Sequence, residues 1–168
     1  MTRLATATCL AALAALLLAS CKSDEIPVST NYDPLYRFPA SASYVWDDAA
    51  SSLPDVESVD RAATDKLLKD VANEAFAARG WHLASGGQAD YRLSYQYLLR
   101  TFTGVDDSHA TGSVSLMLVE SASGRRVWLG FGQAQVYVGL TPEERKARLK
   151  DVLTRMLQNF PPSQRPAS

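Results

Sequence analysis

The chain is poor in the residues from which chemistry is most often built. Its 168 residues include two cysteines, Cys9 and Cys21, and two histidines, His82 and His109. Asp106, Asp107 and His109 share one stretch, but no cysteine or second histidine joins them at a zinc-like spacing. A solvated polar loop is the expectation there. The Gly-x-Ser-x-Gly elbow of serine hydrolases is absent. Gly130-Phe131-Gly132 opens like a dinucleotide-binding turn, yet it lacks the third glycine and lies inside a strand pattern. Those glycines are expected to admit a helix close to a sheet. Asp47 and Asp48 follow a strand end and read as its terminator. No catalytic residue, metal or cofactor is expected, and the chain reads as a non-enzyme. A surplus of positive charge is also missing. Seventeen basic residues face eighteen acidic ones, which leaves nothing to neutralise a nucleic-acid backbone. The basic residues Arg145, Lys146, Arg148 and Lys150 stand among Glu143, Glu144 and Asp151, the pattern of a solvated helix face.

One long apolar run does occur. Residues 4–18 are almost all Leu and Ala and follow the single base Arg3. This is the pattern of a secretory h-region, too short to span a bilayer comfortably. It ends Leu18-Ala19-Ser20-Cys21. An apolar residue, two small ones and a cysteine resemble the lipobox of bacterial lipoproteins. The resemblance implies cleavage between Ser20 and Cys21, a diacylglyceryl group on the Cys21 sulfur, and acylation of the new amine. Two or more acyl chains make a stable anchor, at about 0.8 kcal/mol per buried methylene. Lys22, in place of the Asp that retains such proteins in the inner membrane, implies the outer membrane and its periplasmic side. Loss of residues 1–20 removes Cys9 and one base, leaving sixteen basic and eighteen acidic residues and a formal charge of about −2. No thiol pair remains for a disulfide.

The rest reads as one α+β domain over residues 28–162, joined by a tether over 21–27 and followed by a disordered tail over 163–168. Val28, Thr30 and Tyr32 alternate between Pro27 and Pro34, which suits an edge strand. Ser43-Tyr44-Val45-Trp46 is a second short strand. A helix is expected over residues 56–79, with Leu68, Val71, Ala72, Ala75 and Phe76 as its apolar stripe and Gly80 as its stop. Three alternating strands follow, around Tyr91–Leu99, Val114–Leu118 and Val127–Val138, paired as an antiparallel meander. A longer link over 104–112 and a short hairpin at Ser121–Gly124 join them. Thr141-Pro142-Glu143-Glu144 is a capping box opening a second helix, and Leu149, Val152, Leu153, Met156, Leu157 and Phe160 are its stripe. The fold expected is a two-layer sandwich, a mostly antiparallel sheet of four to five strands with both helices on one face. Strict alternation puts Trp128, Gly130, Gly132 and Ala134 under the helices. Val127, Leu129 and Phe131 then fall on the open face.

Asn31-Tyr32-Asp33-Pro34, Phe38, Tyr44-Val45-Trp46, Gly80-Trp81, Ala89-Asp90-Tyr91, Gly124-Arg125-Arg126-Val127-Trp128-Leu129-Gly130, Pro142-Glu143-Glu144-Arg145 and Phe160-Pro161-Pro162 stand in this order. Together they resemble the bacterial lipoprotein family called domain of unknown function 4136, with Trp81 where a Tyr is more usual. The resemblance implies a cell-envelope lipoprotein and brings no catalytic residues. The expected role is therefore a periplasm-facing module that binds another envelope protein. Its candidate contacts are Val127, Leu129 and Phe131 on the open face and Tyr32, with Val28, on the edge. A lipid or glycolipid carrier is the alternative, and it needs an apolar cleft between helices and sheet. A hydrolase needs a convergent Ser–His–carboxylate cluster.

Overall fold

A computed structural model describes residues 26–57, 59–103, 108–137, 140–158 and 160, with backbone alone for 101–103, 108–109 and 136–137. The signal segment, Cys21 and the tail over 163–168 lie outside these residues. Strands β1 (Val28–Tyr32) and β2 (Ser43–Trp46) come first, then helix α1 (Arg61–Ala77). Strands β3 (His82–Leu83), β4 (Tyr91–Thr103), β5 (Ser108–Glu120) and β6 (Arg126–Tyr137) follow, and helix α2 (Pro142–Gln158) closes the order.

Helix α1 begins five residues later than the apolar pattern suggests. Asp60 holds an extended backbone and its carboxylate accepts the Ala63 N–H at 3.0 Å, so the cap sits there. Gly80, at φ 80°, ends the helix and lets the Trp81 N–H reach the Phe76 carbonyl at 3.1 Å. The capping box of α2 forms as read. Thr141 Oγ1 accepts the Glu144 N–H at 3.2 Å, and Glu144 Oε2 accepts the Thr141 N–H at 2.8 Å.

The sheet is mixed and has six strands, in the order β1-β6-β5-β4-β2-β3. The meander β4-β5-β6 is antiparallel, and β1 adds antiparallel to β6 as an edge. Strand β2 instead runs parallel to both β4 and β3. The expected four or five strands become six because the two residues after Trp81 pair beside Ser43 and Tyr44. The link between β4 and β5 is shorter than expected. Their ladder runs out to Thr103 and Ser108, so His109 lies on β5, while Asp106 and Asp107 lie outside the described residues.

Both helices cover one face. Leu68 and Phe76 of α1 and Leu153 and Met156 of α2 meet Leu93, Leu116, Leu118 and Trp128 from the sheet, all fully buried. Phe160 is the hub of this layer. Its ring lies 4.5 Å from that of Phe76, 5.0 Å from Trp128, 5.3 Å from Trp81 and 5.8 Å from Phe38.

One expectation on this strand fails. Val127 is 1% exposed and lies in the core, not on the open face. The ladder slips between Leu118 and Val119: Leu118 opposes Trp128, while Val119 opposes Arg126. Val127 is thus the extra residue of a β-bulge, and it faces the core together with its neighbour Trp128. Beyond the bulge the alternation holds, with Gly130, Gly132 and Ala134 buried and Leu129 and Phe131 on the open side.

Candidate functional site

The open side of the sheet carries a shallow depression of about 340 Å³. Strand pairing explains its lining. Ser94 opposes Met117, Gln96 opposes Ser115 and Leu98 opposes Ser113, while Met117 opposes Leu129 and Ser115 opposes Phe131. Small serines of β4 and β5 therefore make a low floor. Leu98, Met117, Leu129 and Phe131 stand around it. Leu98 is 48% and Phe131 39% exposed, and it is their grouping into one apolar patch that is informative. Leu129 and Phe131 thus lie where alternation puts them and share one concavity. Tyr32 does not join them. It opposes Trp128 on the edge strand and stands on the helix side of the sheet, 37% exposed. The Leu98 and Met117 contributions were missed in the sequence, though Leu98 is the apolar residue among Arg92, Ser94, Gln96 and Arg100 in the register of its strand.

A second, polar cleft of about 930 Å³ lies at the end of the sheet, between residues 39–42, 87–92 and 120–122. Its wall is a network of fasteners. The Tyr36 and Tyr91 hydroxyls meet at 2.6 Å, and the Tyr36 hydroxyl donates to Glu120 Oε1 at 2.9 Å. Burial and these two bonds raise the Tyr36 phenol far above its ordinary value. Hydrogen bonds from Ser123 and then Tyr36 hold Glu120 below the usual carboxylate range. Arg125 pairs with Asp33 at 3.3 Å and lies over the Tyr36 ring, 5.1 Å from its centroid. Asp33 also accepts the Leu35 N–H at 2.8 Å, an Asx turn that reverses the chain after β1. Trp81 Nε1 donates to the Pro39 carbonyl at 3.2 Å. Residues 33–39 are thereby strapped across the sheet end.

Ser43, His82 and Asp90 also come together here, since Ser43 opposes His82 in the ladder. The bonding is not that of a catalytic triad. Ser43 Oγ donates to Asp90 Oδ2 at 2.7 Å and accepts the Asp90 N–H at 3.1 Å. The Ser43 N–H donates to the same carboxylate oxygen at 2.8 Å. Among the described residues no imidazole is hydrogen-bonded to a serine hydroxyl. The Ser43 bonds, backbone first, depress the Asp90 pKa, which makes this carboxylate a poor base. The cluster clamps β2 to the start of β4. A depressed carboxylate contributes stability at neutral pH, lost as pH falls through its folded-state pKa. In an NMR titration Asp90 should therefore titrate below the ordinary aspartate range. Ser43→Ala removes the hydroxyl bond and should move it upward.

Among the described residues no three His, Cys, Asp or Glu side chains gather as metal ligands. Trp128 Nε1 is buried with no hydrogen-bond partner. A buried donor left unpaired is a cost of packing this ring under the helices.

Residues 28–162 match the family described as a domain of unknown function, DUF4136. The chain belongs to that family. Several of the DUF4136 signature residues read in the sequence are among the contacts just described: Asp33, Phe38, Trp81, Asp90, Tyr91, Arg125 and Phe160. No curated protein matches the chain in sequence. Among solved structures, the DUF4136 domain is similar to a PelC variant from Paraburkholderia phytofirmans, crystallised as a dodecamer. The TM-score is 0.53 at 16% identity, over 85% of this chain and 100% of that one. It is also similar to a PDZ domain protein from Parabacteroides distasonis, with a TM-score of 0.57 at 8% identity, over 90% of this chain and 40% of that one. A lipoprotein from Neisseria meningitidis is a looser likeness, with a TM-score of 0.44 at 18% identity over 72% of this chain and 99% of that one. At such identities the first two show a shared fold.

Proposed function

We propose that the mature protein is a lipid-anchored envelope lipoprotein, held by Cys21 at the periplasmic side of the outer membrane, and that it acts without catalysis as a protein-binding module. The observation that carries this reading is the open sheet face. Helices cover one side of the sheet, and the other offers Leu98, Met117, Leu129 and Phe131 around a serine floor. A contiguous apolar patch of this kind on a small domain fits a partner's side chains. The dodecameric state of the PelC variant supports assembly as a task this fold can perform. The carrier alternative has less support, because Leu68, Phe76, Leu116, Trp128, Leu153 and Met156 fill the space between helices and sheet.

Photo-crosslinking in living cells from position 129 tests the reading. A discrete protein adduct is expected and would identify the partner; a lipid or glycolipid adduct would make the protein a carrier. Leu129→Glu should keep the fold, since the side chain is only half-buried. It should weaken the complex by about thirtyfold or more, the loss typical of an apolar anchor at the centre of an interface. A complex that survives the substitution in a folded protein would refute the open-face version.

A further inference from the structure

The two edges of the sheet are unlike. Strand β3, at one edge, has two residues. Strand β1, at the other, has five, Val28–Tyr32, with no charged residue, no bulge and no proline inside it. Exposed edges are ordinarily blunted by shortness, charge, proline or a bulge. Strand β3 is blunted by shortness, and β1 by none of these. The outward groups of β1 follow from its pairing. The Gln133 N–H donates to the Pro27 carbonyl at 3.1 Å, so Pro27 and Gln133 are a hydrogen-bonded pair. Bonded pairs alternate in an antiparallel ladder, and Ser29 with Phe131 and Asn31 with Leu129 are the next two. The N–H and C=O groups of Val28, Thr30 and Tyr32 therefore point away from β6.

That pattern is self-complementary. A second β1 laid antiparallel about Thr30 sets Val28 against Tyr32, Thr30 against Thr30 and Tyr32 against Val28. Every outward group of both strands then has a partner. The side chains agree with this register. Val28, Thr30 and Tyr32 share the helix side of the sheet. Val with Tyr and Thr with Thr are favourable cross-strand pairs, aromatic on β-branched and hydroxyl on hydroxyl. On the open side Ser29 meets Asn31, so no like charges are opposed. Asp33 faces Pro27 of the second copy and is paired with Arg125 at 3.3 Å. Asp24 and Glu25 precede Pro27, outside the paired stretch. Helix α2 leaves room. It sits over β6 through Val152 and Met156. The two copies of β6 stand three strand spacings apart, about 14 Å, more than the roughly 8–10 Å between packed helices.

We propose that two copies of the chain pair through β1, antiparallel about a two-fold axis at Thr30, and join their six-stranded sheets into one. A second copy fits this edge because the strand itself supplies the matching register, which a head-to-tail contact with the two-residue β3 does not. A two-fold contact closes on itself, so a dimer forms and not a fibre. Both open faces then lie on one side of the joined sheet, with Leu129 and Phe131 of each copy one strand from the seam.

The test uses the full chain, exported in bacterial cells. Thr30→Cys places two thiols on opposed residues, whose Cα atoms in a bonded pair stand about 5.5 Å apart, within disulfide range. Mild oxidation should give a two-chain band several-fold stronger than that of Ala122→Cys, an exposed position on the β5–β6 hairpin. A link through Cys21 would appear equally in both. Ser29→Cys and Asn31→Cys should link when expressed together and several-fold less when expressed singly. Thr30→Lys sets like charges face to face. Native mass spectrometry of that chain, extracted in detergent, should show one chain in place of two, with tryptophan fluorescence unchanged. Leu129→Glu should leave the dimer intact, which separates this contact from the open-face partner. A Thr30→Cys band no stronger than that of Ala122→Cys would overturn the dimer, as would a two-chain mass that survives Thr30→Lys in a folded protein. A Thr30→Cys adduct with a different protein would overturn the second copy as the occupant. Equal links from Ser29→Cys alone and from the mixed pair would overturn the register.

Discussion

Phe160→Ala should lower the stability of the domain by about 3–5 kcal/mol, the range for truncating a large buried aromatic. Phe160 is 2% exposed and its ring meets those of Phe38, Phe76, Trp81 and Trp128. These come from the strap, from α1, from the turn after it and from β6. The ring therefore joins four separate parts of the chain. Offset and edge-to-face pairs of this kind add about 0.5–1.5 kcal/mol each beyond burial. Neighbours anchored in different elements cannot all collapse into the cavity, which puts the cost at the upper end of the range. Urea denaturation followed by tryptophan fluorescence should show a lower midpoint with an unchanged slope. Phe131→Ala, on the open face, serves as the comparison and should cost well under half as much, because that ring is 39% exposed. Similar losses at the two sites would mean that Phe160 is not the hub.

The second large effect comes from adding atoms. Gly130→Ala and Gly132→Ala should each destabilise the protein by about 1–3 kcal/mol, the cost of overpacking a well-filled core, and more if the helix must shift. A Cβ at Gly130 would collide with Trp128 Cη2 and come within 2.7 Å of Met156 Sδ. One at Gly132 would collide with Val152 Cγ1. Neither glycine has positive φ, so the penalty arises from α2 lying close on β6 and not from backbone strain. Met156 is flexible and can yield, whereas Val152 is branched and bound to the helix wall. Gly132→Ala should therefore be the more damaging of the two. Gly130→Ala combined with Met156→Ala should cost less than the sum of the two single losses, because truncating Met156, which is fully buried, leaves room for part of the added methyl. Thermal unfolding of the two glycine variants, of Met156→Ala and of the double variant decides between crowding and backbone effects, because strain would not respond to Met156.

Most local features were open to reading in one dimension. Gly80, Gly124, the Thr141–Glu144 capping box and the apolar stripes depend on residues close in sequence, and they form as read, except that Phe160 lies beyond the end of α2 at Gln158 and not on its stripe. The meander was legible for the same reason, since its hairpins join neighbouring segments. Helix α1 was overextended because the apolar pattern weakens before Asp60 without stopping, and only the cap geometry marks the boundary. Of the candidate contacts, Leu129 and Phe131 stand on the open face, Tyr32 on the helix side of the edge, and Val127 in the core. Alternation is a sound guide until one residue is inserted into a strand. A bulge leaves no signature in the run of residues from Arg126 to Trp128.

The sequence by itself determined that this chain belongs to an α+β family, and where the turns at Gly80 and Gly124 and the capping box of α2 fall. Tertiary structure decided the rest: the parallel seating of β2 against β4, the clamp between Ser43 and Asp90, and the placing of Leu98 and Met117 beside Leu129 and Phe131. Each of these joins residues separated by many others, through register and strand order. Those depend on which buried surfaces fit together, and no local propensity encodes them.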